Sequence, residues 1–187
     1  WFPQEGEDWL ASASREVLAT RERVGLCDVS TLGKIDVQGK DAAEFLNRLY
    51  CNTFSTLDVG KARYGLMLRE DGIVFDDGTT SRLAHDHFLM TTTTANAARV
   101  MSHMEFCHQA HWPELNVQYV SVTEQWAQMA IAGPKARATL QKIVDKVTLD
   151  DTSFSYLAAK EISILGGMTA RLFRISFSGE HAYELAV

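Results

Sequence analysis

The chain has 187 residues, a formal net charge of −6 at pH 7 and a hydrophobic fraction of 46%. This acidic balance, without a basic cluster, argues against a nucleic-acid partner, and the apolar content is sufficient for one large domain or two small ones. No apolar stretch approaches the roughly 18 residues of a membrane helix, and the amino terminus lacks the charged and hydrophobic regions of a secretory signal. We therefore expect a cytoplasmic chain without a membrane partner.

Apolar residues at helical spacing predict helices at residues 9–22, 42–50, 96–106 and 135–144. In the helix at 42–50, Ala42, Phe45, Leu46 and Leu49 line one face, which predicts that this face packs on a core. Runs rich in β-branched and aromatic residues predict strands at 24–29, 34–37, 64–68, 73–75, 79–83, 88–92, 117–123, 128–132, 160–165, 169–175 and 183–187.

The predicted strands come in pairs, with hairpin turns inside the pairs and helices between them. This order predicts an α+β fold of antiparallel sheets with packed helices, not a series of alternating parallel units. The order strand–helix–strand occurs around 42–106 and again around 117–187, so an internal duplication is a hypothesis. Because the chain opens without methionine and ends in strand-like residues, we expect one domain, 1–187, cut from a longer protein.

The stretch Tyr64–Thr80 (YGLMLREDGIVFDDGTT) is the most informative part of the sequence. Its two apolar runs, joined by turn residues, predict a β-hairpin whose second strand ends in Asp76 and Asp77. Alternation along a strand sends these two carboxylates to opposite faces. If Val74 shares a face with Asp76, that face is apolar, and a carboxylate on it must be hydrogen-bonded or able to bind a ligand. A turn made by the aspartates ahead of Gly78 explains the pair equally well.

Threonine, cysteine and histidine residues offer weaker signals. The run Thr91–Thr94 fits a packed strand end, or hydroxyl groups that line a polar pocket. Three cysteines without metal-type spacing predict reduced core thiols: Cys27, Cys51 and Cys107. His103 and Cys107 would lie one helical turn apart, near His108 and His111, but a packed helix end explains them better than a ligand shell. We expect no metal.

Four blocks of the sequence together resemble the aminomethyltransferase, or glycine-cleavage T-protein, family, whose members bind tetrahydrofolate. The blocks are Cys27-Asp28-Val29-Ser30 with Gly39, the hairpin Tyr64–Asp77, the AIAGP turn at 130–134, and SFSGEHAYE at 176–184, which is similar to the family's GYTGEDGYE. Within the family, the details are most similar to the folate-binding region in alpha subunits of heterotetrameric sarcosine oxidases. Stretches such as ARYGLMLREDG, DDGTTSRLA and RLFRISFSGE carry that similarity.

The resemblance implies roles for particular residues. Asp76 matches the family's carboxylate beside the reactive nitrogens of the folate, and Glu184 matches the glutamate that binds the amino and ring N–H groups of the pterin. Tyr64 and Phe177 would supply aromatic surface, and Leu66 and Met67 apolar walls. Thr93 aligns where T-proteins have asparagine, and Phe177 where they have tyrosine, so the two pterin contacts differ from the family pattern.

The resemblance also implies a reaction. A flavin elsewhere in the complex would oxidise sarcosine to an imine, and tetrahydrofolate bound here would capture the one-carbon unit as 5,10-methylenetetrahydrofolate. FAD, FMN, NAD and the other subunits would belong to the full complex, and this chain alone would be inactive. Two alternatives stay open: a non-catalytic folate-binding or scaffold module, and a structural domain in which Asp76 and Glu184 are ordinary surface acids.

Overall fold

The computed structural model describes residues 3–187, which divide into two compact units. The first unit contains the residues up to Val29 together with Gln128–Tyr156 and Glu161–Val187, and the second contains Ser30–Ala127 with Leu157–Lys160. Among these described residues, no helix is both long and apolar enough to cross a membrane.

The helices and strands follow the predicted order. The helices are α1 (Trp9–Glu22), α2 (Ala42–Leu49), α3 (Ala97–Ala110) and α4 (Ala136–Leu140). The strands are β1 (Gly25–Asp28), β2 (Gly33–Gln38), β3 (Lys61–Leu68), β4 (Val74–Ala84), β5 (His87–Thr92), β6 (Gln118–Ser121), β7 (Gln128–Ala132), β8 (Val144–Asp145), β9 (Ala159–Ile164), β10 (Met168–Phe173) and β11 (Ala182–Ala186). The predicted α+β class with antiparallel sheets and packed helices is confirmed.

The second unit is built on a five-stranded sheet in the order β3-β4-β5-β2-β6, whose neighbouring strands pair antiparallel. The predicted core face of α2 is confirmed, since Ala42, Phe45, Leu46 and Leu49 are all buried. Phe45 stacks on Tyr119 at a centroid distance of 5.4 Å. This hydrophobic cluster joins α2 and α3 to the sheet.

The first unit contains most of a six-stranded sheet in the order β1-β7-β11-β10-β9-β8. The central strand β11 pairs antiparallel with β7 and with β10. Helix α1 begins where the Asp8 carboxylate accepts a hydrogen bond from the Ala11 N–H at 2.7 Å, as an N-cap does. The helix is confirmed, but its large apolar residues Trp9, Leu10, Val17 and Leu18 are exposed.

The structure corrects two expectations about the hairpin. The predicted strands at 73–75 and 79–83 form one continuous strand, β4, because Asp77 and Gly78 keep their pairing with Leu66 and Gly65 of β3. The prediction of a turn ahead of Gly78 is therefore wrong. This glycine is needed for close packing, since a Cβ there would lie 2.0 Å from the Thr91 carbonyl oxygen.

The second correction concerns the face that Asp76 occupies. Met67 pairs with Asp76 while Leu68 pairs with Val74, so Phe75 is an extra residue that forms a β-bulge. The bulge breaks the alternation, and Val74 is 52% exposed whereas Asp76 is only 4% exposed. Val74 and Asp76 therefore do not share a face, as the simple pattern had implied.

Two further boundaries differ from the predictions. The helix expected at 135–144 ends at Leu140, because Val144 leaves it to pair with Ile164 in the short strand β8. Among the cysteines, Cys107 is buried as expected, but Cys27 and Cys51 are exposed, so the core-thiol prediction is wrong for those two.

The aromatic contacts of Phe45 predict a large loss of stability on truncation. Because Phe45 is fully buried, Phe45→Ala should lower the free energy of unfolding by about 3–5 kcal/mol, the usual loss for a buried phenylalanine. Phe106→Ala is the matched control, since this side chain is exposed and its loss should change stability little. Urea denaturation measures both, and equal losses would contradict the assigned core.

Candidate functional site

The second unit holds Asp76, the first of the paired aspartates, in a buried position. Asp76 lies on β4 opposite Met67 of β3, and both side chains are buried. A carboxylate removed from water is stable only when donors replace its hydration. The hydrogen-bond donors that surround the Asp76 carboxylate are therefore the next question.

Three donors contact the Asp76 carboxylate. The Thr93 hydroxyl donates to Oδ1 at 2.6 Å, and the Thr93 N–H donates to Oδ2 at 3.3 Å. The Asn96 side-chain amide donates to Oδ1 at 3.2 Å and also to the Phe75 carbonyl oxygen at 3.0 Å. These three hydrogen bonds replace the water that the buried carboxylate would otherwise contact.

Both donor residues come from one short connection between β5 and α3. Thr93 directly follows β5, and Asn96 ends a 3₁₀ turn, Thr94–Asn96, that leads into α3. The Asn96 N–H donates to the Thr93 carbonyl oxygen at 3.2 Å, which closes the turn. The threonine run therefore supplies a hydroxyl to the buried aspartate.

Asp77 has a different environment. It is paired with Leu66 and accepts a hydrogen bond from the Tyr64 hydroxyl at 2.8 Å. That hydrogen bond raises the pKa of the Tyr64 phenol, because the bond and the carboxylate charge both favour the protonated form. The Tyr64 side chain is 50% exposed, so its ring offers surface beside Asp77.

Leu66 and Met67, the predicted apolar walls, alternate along β3. Leu66 is half-buried, and its N–H donates to the Asn52 side chain at 2.8 Å. Met67 is fully buried in the hydrophobic core cluster. The structure therefore places Met67 among core residues, while part of Leu66 stays accessible.

Sequence reasoning missed two residues close to Asp76. One is Asn96, whose position just before a helix is typical of a cap and gave no sign of a bond to β4. The other is Tyr50, which pairs with Met67 in an isolated bridge. Burial raises the pKa of the Tyr50 phenol far above its usual range, and the negative charge of Asp76 adds to this effect. The Tyr50 hydroxyl is thus a neutral group near the carboxylate.

The first unit contains Glu184 and Phe177. Glu184 lies on β11, opposite Ala130 of β7 and Phe173 of β10, and is half-buried. The Gln128 side-chain amide donates to the Glu184 carboxylate. Phe177 lies in the segment between β10 and β11 and is fully exposed. This unit thus contains a half-buried carboxylate that accepts from Gln128, and an exposed aromatic ring.

The same segment lines a pocket of about 280 Å³ within the first unit, formed by Tyr156, Arg174, Ser176, Gly179, Glu180, His181 and Ala182. Arg174 donates to the Phe154 carbonyl oxygen at 2.8 Å and pairs with Asp151 at 2.6 Å. Burial lowers the pKa of His181, and the charges of Arg137 and Arg174 lower it further. Arg174 is thus bonded to groups outside the pocket lining, while within the lining the Gly179 N–H donates to the Ser176 hydroxyl at 2.8 Å.

The histidines of α3 take part in packing. His108 contacts the Tyr119 hydroxyl at 3.2 Å and the Leu115 carbonyl oxygen at 3.0 Å. The Cys107 sulfur lies 3.6 Å from the His103 Nε2 atom. Across residues 3–187, no group of three or more histidine, cysteine, aspartate or glutamate side chains has the arrangement of a metal site.

Comparison with known proteins identifies the family. The whole chain, residues 1–187, matches the family described as the GCVT N-terminal domain. It is 66% identical over 189 residues to the sarcosine oxidase subunit alpha of Rhizobium meliloti (strain 1021), covering all of this chain and 19% of that protein. The chain therefore spans about a fifth of the length of this curated relative.

Solved structures agree with this match. Aminomethyltransferase T of the glycine cleavage system from Bartonella henselae superimposes with a TM-score of 0.78 at 25% identity, over 92% of this chain and 44% of that one. A heterotetrameric sarcosine oxidase from Corynebacterium sp. U-96, in complex with pyrrole 2-carboxylate, shares the fold with a TM-score of 0.61 at 16% identity, over 94% of this chain and 82% of that one. The chain belongs to the family of GCVT N-terminal domains.

Proposed function

We propose that residues 1–187 form the tetrahydrofolate-binding domain of a sarcosine oxidase alpha subunit. In this role the domain captures the one-carbon unit of the imine that flavin oxidation of sarcosine produces, and the product is 5,10-methylenetetrahydrofolate. The observation that carries the proposal is the buried Asp76 carboxylate, held by donors from Thr93 and Asn96. The high identity to a sarcosine oxidase alpha subunit supports the choice within the family.

In this proposal Asp76 would lie beside the reactive nitrogens of the folate. Tetrahydrofolate supplies a nucleophilic nitrogen that can carry a one-carbon unit. As the new C–N bond forms, the attacking nitrogen gains positive charge and must lose a proton. Asp76 stabilises that charge and accepts the proton, and a positioned general base typically contributes about 10²–10⁴-fold in rate. Because the charge on the nitrogen exists only during the reaction, Asp76 acts mainly on the transition state.

Glu184 serves binding in this proposal. An ionised carboxylate is an acceptor only, so it can accept two neighbouring N–H groups of a pterin side by side. Gln128 already donates to one of its oxygens, which orients the carboxylate. The exposed rings of Tyr64 and Phe177 offer aromatic surface for stacking, and Leu66 offers an apolar contact. Asp76 lies in the second unit and Glu184 in the first.

The remaining partners follow from the same proposal. The name of the U-96 structure describes a heterotetramer, so we propose that this chain works with other sarcosine oxidase subunits in the cytoplasm. FAD, FMN and NAD would be held by other parts of that complex, and the flavin would supply the oxidation of sarcosine. The substrates that reach this chain are a small imine and a folate.

One specific observation favours a second candidate function. All three donors to Asp76 come from the protein itself, so the network would also stabilise a domain that binds folate without catalysis. A passive folate-binding module needs Glu184 but has no use for a carboxylate at the reactive nitrogens. The two functions therefore differ in what the loss of the Asp76 charge would do.

The first functional prediction concerns Asp76. Asp76→Asn keeps the size of the side chain but removes the charge and the base, so methylenetetrahydrofolate should decrease and formaldehyde increase for each sarcosine consumed. The ratio of the two products, measured at saturating tetrahydrofolate in the assembled enzyme, should decrease by about 10²-fold or more.

Asp77→Asn is the matched control for this measurement. Asp77 carries the same charge one residue further along β4 and is bonded to the Tyr64 hydroxyl, so its loss should change the product ratio much less. If Asp77 proves the sensitive position, the roles of the two aspartates are exchanged. If neither substitution changes the ratio, the passive folate-binding module replaces the catalytic proposal.

The second functional prediction concerns Glu184. Glu184→Gln places an NH₂ group against the N–H donors of the pterin, and the loss of a hydrogen bond to a charged group should weaken binding by about 1.5–3 kcal/mol, or roughly 10- to 150-fold in Kd. Tryptophan fluorescence during titration of the assembled enzyme with tetrahydrofolate measures the change. Glu180→Gln is the control, because the Glu180 carboxylate accepts from Ser178 in the same segment. Unchanged affinity in Glu184→Gln would show that Glu184 does not bind the pterin.

A further inference from the structure

The three donors to Asp76 are unequally divided between its two oxygens. A carboxylate oxygen has two lone pairs that can accept hydrogen bonds. Oδ1 accepts from the Thr93 hydroxyl at 2.6 Å and from the Asn96 amide at 3.2 Å, so both of its positions are used. Oδ2 accepts only from the Thr93 N–H at 3.3 Å, which is long for an N–H···O bond. Oδ2 is therefore the oxygen with capacity for a further donor.

The orientation of the Asn96 amide is fixed by its neighbours. Arg99 Nη1 donates to Asn96 Oδ1 at 3.2 Å, while Asn96 Nδ2 faces the Phe75 carbonyl oxygen and Asp76 Oδ1. A flipped amide would set its oxygen against two acceptors and its NH₂ against the arginine donor. The network therefore permits one orientation, which is the criterion for assigning an amide. The Arg99 guanidinium also lies over the Phe75 ring, 5.3 Å from its centroid.

These contacts connect an exposed cation to the buried carboxylate. Arg99 fixes Asn96, and Asn96 together with Thr93 fixes the carboxylate plane of Asp76. The Thr93 N–H and hydroxyl and the Asn96 amide, which come from one turn, all donate to this carboxylate. Preorganised donors of this kind keep a catalytic group in its working geometry without rearrangement during the reaction.

We propose that Thr93 and Asn96 are positioning residues that occupy Oδ1 of Asp76, so that Oδ2 is the oxygen that accepts the proton. The inference rests on the proposed function. When a folate nitrogen attacks the protonated imine, its lone pair would form the new C–N bond, the π pair would move to the imine nitrogen, and the proton of the attacking nitrogen would pass to Oδ2. A second folate nitrogen would then displace glycine and lose its own proton to solvent, while the departing glycine amine takes up the proton held on Oδ2. Thr93 thus acts through Asp76, where the family resemblance had assigned it a contact with the cofactor.

An exchange of the two side chains tests this assignment. Asp76→Asn combined with Asn96→Asp keeps the total charge and a carboxylate–amide pair across the same gap, but it moves the carboxylate away from the position of Oδ2. Because the new carboxylate at position 96 faces the Phe75 carbonyl oxygen, the double variant should recover only part of the melting temperature lost in Asp76→Asn alone. Its ratio of methylenetetrahydrofolate to formaldehyde in the assembled enzyme should stay as low as in that single variant. Recovery of the ratio would overturn the proposal, because a carboxylate at either position of the cluster would then be sufficient.

Single substitutions supply a pH readout. Asn96→Asp places a second carboxylate against Oδ1, and two like charges so close oppose ionisation, so the pH profile of the product ratio should move up by about one unit or more. Asn47→Asp is the control, since Asn47 Oδ1 accepts from the N–H groups of Phe54 and Ser55 and a carboxylate oxygen can do the same. Its profile should match the parent. An unmoved profile in Asn96→Asp would contradict the positioning role.

Thr93 provides the conservative pair. Thr93→Val removes the hydroxyl at nearly constant shape and should lower the product ratio about tenfold, the loss expected for a hydrogen bond to a charged group. Thr93→Ser keeps the hydroxyl and should stay within about twofold of the parent. If Asp76→Asn has a low product ratio but Thr93→Val has the ratio of the parent, this inference is overturned and the proposed function is not. A parent-like ratio in Asp76→Asn overturns the proposed function and the inference with it.

Discussion

The hydrogen bond between the Thr93 hydroxyl and Asp76 Oδ1 is the contact on which the site in the second unit depends. An aspartate that is 4% exposed would be strongly destabilising without donors, so the strand that carries it must lie against groups that supply them. Those groups follow β5, the neighbour of β4 in the sheet. The pairing of β4 with β5, and the close approach that Gly78 allows at Thr91, therefore serve the carboxylate as well as the fold.

The bulge at Phe75 explains how one strand serves both the core and the site. It turns Val74 outward and Asp76 inward, and the Phe75 carbonyl oxygen accepts from the Asn96 side chain. Bulges of this kind often lie beside functional sites, where they redirect a side chain. In the same strand, Asp77 is held by Tyr64 near the surface. Two adjacent residues of one type therefore acquire different environments from backbone geometry alone.

Local sequence patterns predicted the structural features that depend on residues close together in the chain. The apolar face of α2 and the antiparallel strand pairs followed from periodicity and are confirmed, whereas the catalytic role of Asp76, which came from the family resemblance, stays a prediction. The continuity of β4 was missed because Asp76-Asp77-Gly78 has turn composition, and only pairing with β3 on one side and packing against Thr91 on the other keeps it extended. Asn96 was missed because its bond to Asp76 joins residues 20 positions apart, which no sequence period reports.

The central claim is that Oδ2 of Asp76 meets the reactive nitrogen of a bound folate. A crystal structure of the assembled enzyme with a chemically stable tetrahydrofolate analogue tests this most directly. We expect a folate nitrogen within about 3.2 Å of Asp76 Oδ2. A folate bound elsewhere, or one bound while Asp76 remains bonded only to Thr93 and Asn96, would contradict the catalytic role of Asp76.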